Sequence, residues 1–190
     1  MSRWQPDAGE RLERAALELF AEHGFAETTV PQITARAGLT TRTFFRHFAD
    51  KREVLFAGEG DVPALAARMI AEAPAHLAPM DIIEAGLEAV AAAQFSEGID
   101  VIRRRKAVIQ SDAGLQEREL RKVSALSAAI HEGFVARGVD DVTANLVAHV
   151  TTTVFAVAIS RWLSQDDDVP LPALLHDTLA SLRALVAQSN

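Results

Sequence analysis

Residues 28–55 read TTVPQITARAGLTTRTFFRHFADKREVL, and this stretch decides the fold. Thr29 is placed to N-cap a short helix, with Gln32 three residues on at the capping-box spacing and Pro31 in the first turn, where an amide lacks a partner anyway. Ile33 and Ala37 lie four apart and share one face. Gly38 stops the helix where a left-handed residue is wanted, Leu39 plugs the turn, and Thr40 or Thr41 starts the next helix. Phe44 and Phe48, again four apart, point inward and leave Arg42, Thr43, Arg46 and His47 on the other faces. Asp50 reads as the cap of a third helix running into the high fifties, with Lys51 in its first turn and Glu53 three residues on. Two short amphipathic helices joined by a glycine turn form the helix-turn-helix pattern, whose second helix enters the major groove of DNA.

Outward from that stretch, composition narrows the class. The chain has 190 residues, 49% of them hydrophobic, with 10 glycines, 7 prolines and no cysteine. Disorder, disulfides and cysteine–zinc sites are thereby set aside, and an intracellular compartment is favoured. The first residues, MSRWQPDAGERLE, lack the apolar centre of a signal peptide, and no uninterrupted apolar run reaches the roughly eighteen residues of a spanning helix. A soluble, cytoplasmic protein with no membrane partner is expected.

Net charge is −7, which taken over the whole chain argues against nucleic acid. Residues 1–57, however, carry eight Lys/Arg and eight Asp/Glu, so the entire negative excess lies in 58–190. Between Leu39 and Arg52 there are four basic residues against one acid, with His47 besides. Positive charge is therefore local to the second helix and its flank, as phosphate binding requires.

The expected fold is all-α. An N-terminal three-helix domain over 1–57 precedes a larger helical domain over 58–190, about nine helices in total. Apolar periodicity places the first helix between Asp7 and Gly24, with Leu12, Ala16, Leu19 and Phe20 on one face. Further helices are expected at 64–73, 80–95, 99–110, 115–137, 142–163 and 171–188. Leu120, Val123, Leu126, Ile130 and Phe134 make one stripe of the long 115–137 helix. The helix over 142–163 is apolar or small on nearly every face, so its own chain cannot cover all of it. The three aspartates at 166–168 lack calcium-loop spacing and read as a solvated loop.

The pattern at Thr28, Val30, Ile33, Ala37, Gly38, Leu39, Thr40, Thr43, Phe44, Phe45, His47, Phe48, Lys51, Val54 and Leu55 resembles the DNA-binding domain of TetR-type transcriptional regulators. The resemblance is firm over residues 8–57 and continues beyond them only as an architecture. It implies a ligand-responsive regulator, most often a repressor, that binds a palindromic operator in double-stranded DNA as a homodimer and is released by a small-molecule effector of unknown identity. The implied DNA-binding residues are Thr29, Thr40, Thr41, Arg42, Thr43, Phe45, Arg46, His47 and, towards a phosphate, Lys51. Two positions depart from the commoner pattern. Arg42 stands where a small residue is frequent and could pair with guanine O6 and N7, or merely decorate the surface. Phe45 stands where a tyrosine is frequent and has no hydroxyl to offer a phosphate.

The resemblance also implies a four-helix dimer interface from the last two helices, with Val150, Val154, Val157, Leu175, Leu179 and Leu182 as its candidates. An effector pocket is implied between helices, with candidates Met69, Leu87, Phe95, Arg103, Ile109, Leu126, Ile130, Phe155 and Trp162; core and pocket use the same residue types at these positions. Arg103, Arg104, Arg105 and Lys106 either hold an anionic effector, such as an acyl-CoA or a carboxylate, or form a solvated basic face.

No nucleophile–base–orienter set and no metal-ligand spacing is present, so neither enzymatic activity nor a cofactor is expected. The alternative from another class is a helical small-molecule-binding or scaffold protein without sequence-specific DNA binding, which the balanced charge of 1–57 would suit.

Overall fold

The computed structural model describes residues 7–57, 61–94, 98–165 and 169–188. Among them the chain is all-α. In order come α1 (Ala8–His23), α2 (Val30–Ala37), α3 (Thr41–His47), a 3₁₀ turn (Glu53–Leu55), α4 (Val62–Glu72), α5 (Pro79–Gln94), α6 (Ile99–Gln110), α7 (Ala113–Ala136), α8 (Asp141–Ser164) and α9 (Leu171–Ala187). The aspartates at 166–168 lie outside the described residues.

Local chemistry accounts for the first elements. The Thr29 hydroxyl accepts from the Gln32 amide, and the Gln32 side chain accepts from the Thr29 amide at 2.7 Å, so two otherwise orphaned donors at the start of α2 are satisfied. Gly38 ends α2 at φ +65°, and the Leu39 amide reaches back to the Thr34 carbonyl at 2.8 Å. The Arg11 guanidinium donates to the Ala37 carbonyl at 2.6 Å, and a Cβ on Gly38 would meet that guanidinium at 3.3 Å. Both the positive φ and the close approach call for glycine here. Thr40 caps α3 through the Thr43 amide.

The helix expected from Lys51 onward is only a 3₁₀ turn. Asp50 does accept from the Arg52 and Glu53 amides, so the cap is present. The next three side chains, Val54, Leu55 and Phe56, are all buried. A surface α-helix would turn at least one of three consecutive side chains to solvent, so the chain tightens and enters the core instead.

The fold divides into two compact units. The first comprises residues up to 60 together with 100–119. Its core joins Leu12, Leu19 and Phe20 of α1 to Ile33 of α2, Phe44 and Phe48 near α3, and Leu55. Val108 and Ile109 of α6 and Leu115 of α7 complete it. A boundary at 57/58 alone therefore does not delimit this unit, because the apolar side of α6 is covered by the N-terminal helices. Arg105 pairs with Glu13 at 4.0 Å, and Arg118 pairs with Glu53 and lies over the Phe56 ring.

The second unit comprises 61–99 and 120–190. Its interior is built from Ile70, Ile82, Ile83, Leu87, Ile130, Phe134, Ala144, Val147, Ala148, Val154, Ala158, Leu174, Leu175 and Leu179. The stripe expected on α7 is buried only at its C-terminal end; Ile130 and Phe134 are covered, whereas Leu120 is 68% exposed and Val123 is exposed too. Helix α8 is long and apolar enough to cross a membrane by length and composition, although no uninterrupted apolar run was expected in the sequence. Its valines, alanines and larger aliphatic residues raise the mean hydropathy, while His149 and the threonines at 151–153 interrupt any continuous run. About a third of its most apolar window, 33%, is buried within the chain.

Candidate nucleic-acid interface

Helix α3 is a seven-residue element held on one side and free on the other. Phe44 is fully buried, with its ring 5.3 Å from those of both Phe45 and Phe48. This aromatic anchor fixes the rotation of α3, since the faces of a short helix follow from whichever residue is buried. The rotation leaves Thr41, Arg42, Phe45, Arg46 and His47 exposed and Thr43 half-buried. Phe45 is 58% exposed, a large apolar side chain in open solvent at the centre of a basic face.

The polar groups on this face differ in freedom. Thr43 and Thr40 share a hydroxyl–hydroxyl hydrogen bond of 3.0 Å at the cap. His47 Nε2 lies 3.4 Å from Arg46 Nη2, and a side chain added at Gly9 would approach His47 Nδ1 at 3.6 Å, which places the start of α1 beside the end of α3. Arg42 is exposed at the start of α3, one residue after Thr41. Thr29 is exposed at the start of α2, its hydroxyl engaged with Gln32. Arg36 is bound to Glu18 and Glu22, at 3.2 and 2.7 Å, which holds the Glu22 carboxyl below the usual carboxylate range and the guanidinium further up still.

Lys51, expected to meet a phosphate, is drawn inward. Its ammonium donates to the carbonyls of Phe25, Ala26 and Thr28 at 2.6, 3.4 and 2.7 Å and sits 4.2 Å from the centre of the Phe25 ring. All three donors are thus directed at the α1–α2 connection, whose carbonyls no helix satisfies. Burial lowers its pKa, against the opposing pull of Asp112 and Glu27. Lys51 ties that connection to the segment after α3.

The candidates elsewhere are dispersed. Ile109 is a core residue of the first unit, and Arg103 lies on α6 in the same unit, 3.7 Å from Asp100. The basic run is paired throughout. Arg104 donates to the Asp100 carbonyl, Arg105 meets Glu13, and Lys106 meets both oxygens of Glu119 at 2.7 and 2.8 Å. Leu87, Ile130 and Trp162 are buried in the second unit, while Met69, Leu126 and Phe155 are half-buried there. Phe95 lies outside the described residues.

Two open grooves lie in the second unit. One, of about 400 Å³, runs between α7 and α8 and includes Ser124, Ser127, His131, Asn145 and His149. The other, of about 440 Å³, lies beside α4 and α7. Neither is lined by any of the effector-pocket candidates named from sequence; the first also includes Leu120 and Val123 of the α7 stripe, and the second is mostly alanine with Glu132 and Arg137. Of the dimer candidates, Val154, Leu175 and Leu179 are buried within this chain, Val150 and Leu182 are half-buried, and Val157 is exposed. The exposed large apolar residues of α8 and α9 are Val142, Leu146, Val157, Leu185 and Val186. Helices α8 and α9 carry aliphatic residues on both their covered and their open sides, so periodicity alone does not separate the two.

A capped, glycine-turned helix pair presenting a basic face with its aromatic side locked inward defines a helix-turn-helix DNA-binding protein. Residues 13–57 match the family described as bacterial regulatory proteins, tetR family, and residues 77–187 match the MftR C-terminal domain. The chain belongs to the TetR family of transcriptional regulators, with an N-terminal helix-turn-helix DNA-binding domain and a C-terminal ligand-binding domain. It is similar to the HTH-type transcriptional regulator TcmR of Streptomyces glaucescens, 29% identical over 185 residues that span 92% of this chain and 82% of that one. Among solved structures, it resembles SmeT in complex with triclosan (TM-score 0.65, 21% identity, 93% and 91% of the two chains). It also resembles FadR of Thermus thermophilus in complex with lauroyl-CoA (TM-score 0.55, 22% identity, 90% and 91%). At these identities the two structures establish the shared fold.

Proposed function

We propose that the chain represses transcription by binding a palindromic operator as a homodimer, and that a small-molecule effector held in its second unit releases it. The observation that carries this reading is the face of α3, where Arg42, Phe45, Arg46 and His47 are all exposed while Phe44 is fully buried. In this reading Arg42 forks onto a guanine edge and Phe45 packs on a thymine methyl or a sugar. Thr40, Thr41 and Thr43 serve as short-range hydroxyl donors to phosphate or base, Thr29 stands beside the DNA at the start of α2 with its hydroxyl kept for the cap, and Arg46 and His47 lie on the phosphate side. Lys51 is left to hold the fold. Residues 1–57 bind DNA, supported by 100–119, and the remainder of 58–190 dimerises and takes the effector.

The dimer surface in this reading is the exposed apolar side of α8 and α9, at Val142, Leu146, Val157, Leu185 and Val186. A two-fold dimer supplies two recognition helices, as the two half-sites of a palindrome demand. The effector sits against Leu87, Ile130 and Trp162 rather than on the basic run, whose charges already have partners. Effector binding shifts the population toward a state whose recognition helices no longer match successive grooves. The protein acts in the cytoplasm, where its DNA is.

The test is selection of bound sequences from random duplex DNA, followed by titration of the winner in rising salt. A palindrome whose affinity falls steeply with salt supports the reading. Enrichment of no motif, or affinity indifferent to salt, overturns it.

A further inference from the structure

Among the described residues of the first unit, one large hydrophobic side chain stands in open solvent: Phe45, at 58% exposure. A single exposed apolar side chain means little by itself. What sets this one apart is how it is held and what surrounds it. Its ring meets that of fully buried Phe44 edge-on, with centroids 5.3 Å apart and planes at 81°, and Phe44 packs in turn on Phe48 of the core. The quadrupoles of the two rings favour this arrangement. The outward ring is thus seated against the core and stands at one place on the face. Arg42 and Thr41 lie three and four residues earlier, on the same side of α3, and Arg46 follows directly; all three are exposed. An apolar ring is bracketed along the helix by two cations.

The chemistry of such a face is selective. Guanidinium groups draw it onto phosphates whatever the sequence. The phenyl ring has no donor or acceptor, so it can hydrogen-bond neither a phosphate nor a base edge, and any polar group it covered would lose its water without a replacement. A tyrosine, frequent at this position of the family pattern, carries a hydroxyl that must be hydrogen-bonded; phenylalanine makes no such demand. The apolar feature that base edges present in the major groove is the C5-methyl of a pyrimidine. Thymine carries it, cytosine lacks it, and 5-methylcytosine carries it again. Sugars are apolar in part, but they line the walls of the groove beside the phosphates, within reach of the longer arginines. The centre of the face meets the floor.

We infer that Phe45 is a specificity-determining residue that reads the C5-methyl of one pyrimidine in each half-site, so that this position accepts thymine or 5-methylcytosine and discriminates against unmethylated cytosine. The inference rests on the operator reading above and deepens it: methylation of cytosine in the DNA becomes a signal to which binding responds. It needs the geometry of the first unit alone. The ring supplies the selectivity and the flanking arginines supply the attraction, which is why the two are found side by side on one short helix.

The experiment uses the full chain and the duplex selected by the wild type. Each thymine is replaced in turn, in both half-sites, by deoxyuridine, which removes the methyl and keeps every hydrogen-bonding group. At one position the loss should weaken binding by about fourfold per half-site, the worth of one buried methyl, and by about fifteenfold for the pair. A cytosine–guanine pair is then placed at that position with and without a methyl on the cytosine, and the methylated duplex should bind about fourfold tighter per half-site. In Phe45→Ala both ratios should fall to about one, because the methyl then meets no ring. Phe45→Tyr, which keeps the ring, should hold both ratios within about twofold of the wild type. Thermal melts check that the variants fold, and lower salt restores measurable affinity where Phe45→Ala binds weakly, since phosphate attraction strengthens there. If no thymine methyl matters, if methylating the cytosine changes nothing, or if the ratios persist in Phe45→Ala, the inference is overturned and the operator reading stands. If the wild type selects no motif at all, both fall.

Discussion

The two units of this molecule are built on opposite terms. In the first, nearly every element carries its own local instruction. Thr29 with Gln32 starts α2, Gly38 stops it, Thr40 starts α3, and Phe44 with Phe48 sets which way α3 faces. In the second, α8 offers aliphatic or small residues in almost every direction, and nothing within it states which face belongs inside. Short helices with distinct caps and a single aromatic side have one way to pack. Long helices rich in alanine, valine and leucine have several of similar merit, and the neighbours choose among them. The contrast explains why the exposed face of α3 is legible and the faces of α8 are not.

Core truncation should break this comparison most forcefully. Phe44→Ala removes the fully buried ring that orients α3, and should cost about 3–5 kcal/mol, measured by denaturant unfolding, with DNA affinity lost as well. Ile130→Ala in the second unit should cost about 2–5 kcal/mol, nearer the lower end because helices without fixed faces can shift to refill the space. Equal costs at the two sites would show that the second core is as specifically packed as the first.

Next in size is base reading. Arg42→Ala should lose about 1–3 kcal/mol of discrimination at one base position in each half-site, read by repeating the selection with the variant. Lys51→Ala should leave the salt slope of binding unchanged, because its ammonium is spent on three carbonyls, and should instead lower the melting temperature. A shallower slope in that variant would return Lys51 to the phosphate contacts.

Cap removal comes after that. Thr29→Ala should cost about 1 kcal/mol in unfolding experiments. Gly38→Ala should cost about 1–3 kcal/mol, since it forces a side chain to φ +65° and presses on the Arg11 guanidinium. A cost below that of Thr29→Ala would mean that the turn relaxes easily.

The smallest effect is electrostatic and exposed. Glu22 titrates below the ordinary carboxylate range, chiefly because Arg36 is hydrogen-bonded to it. A carboxyl depressed in the folded state adds stability above its unfolded pKa, and that contribution fades as pH falls through the folded value. Arg36→Gln should therefore raise the Glu22 titration midpoint seen by NMR and remove this acid-side dependence. An unmoved midpoint would assign the depression to something other than Arg36.

Particular residues show where legibility ended. The cap at Asp50 was readable and is present, yet the helix it should begin is a single 3₁₀ turn, because burial of Val54, Leu55 and Phe56 outweighs the local signal. Lys51 looked like a phosphate ligand at a helix start; without that helix it turns to unsatisfied carbonyls. For Arg103, Arg104, Arg105 and Lys106 the sequence left an anion site and a solvated basic face both open, and in the structure these side chains have partners on α1, α6 and α7. The Arg137 guanidinium donates to the Ile70, Ala73 and Pro74 carbonyls at the end of α4, 63 to 67 residues away in the chain, and no local pattern announces it.

Sequence alone determined the helical class, the helix-turn-helix with its caps and glycine turn, and the side of α3 turned to solvent. These rest on interactions between residues three or four apart, whose geometry backbone stereochemistry dictates. Tertiary structure alone decided that 100–119 completes the first unit, which sides of α8 and α9 stay exposed, and what holds the end of α4. Those depend on residues distant in the chain competing for the same apolar surface and the same orphaned carbonyls, a competition settled only when all the helices are in place.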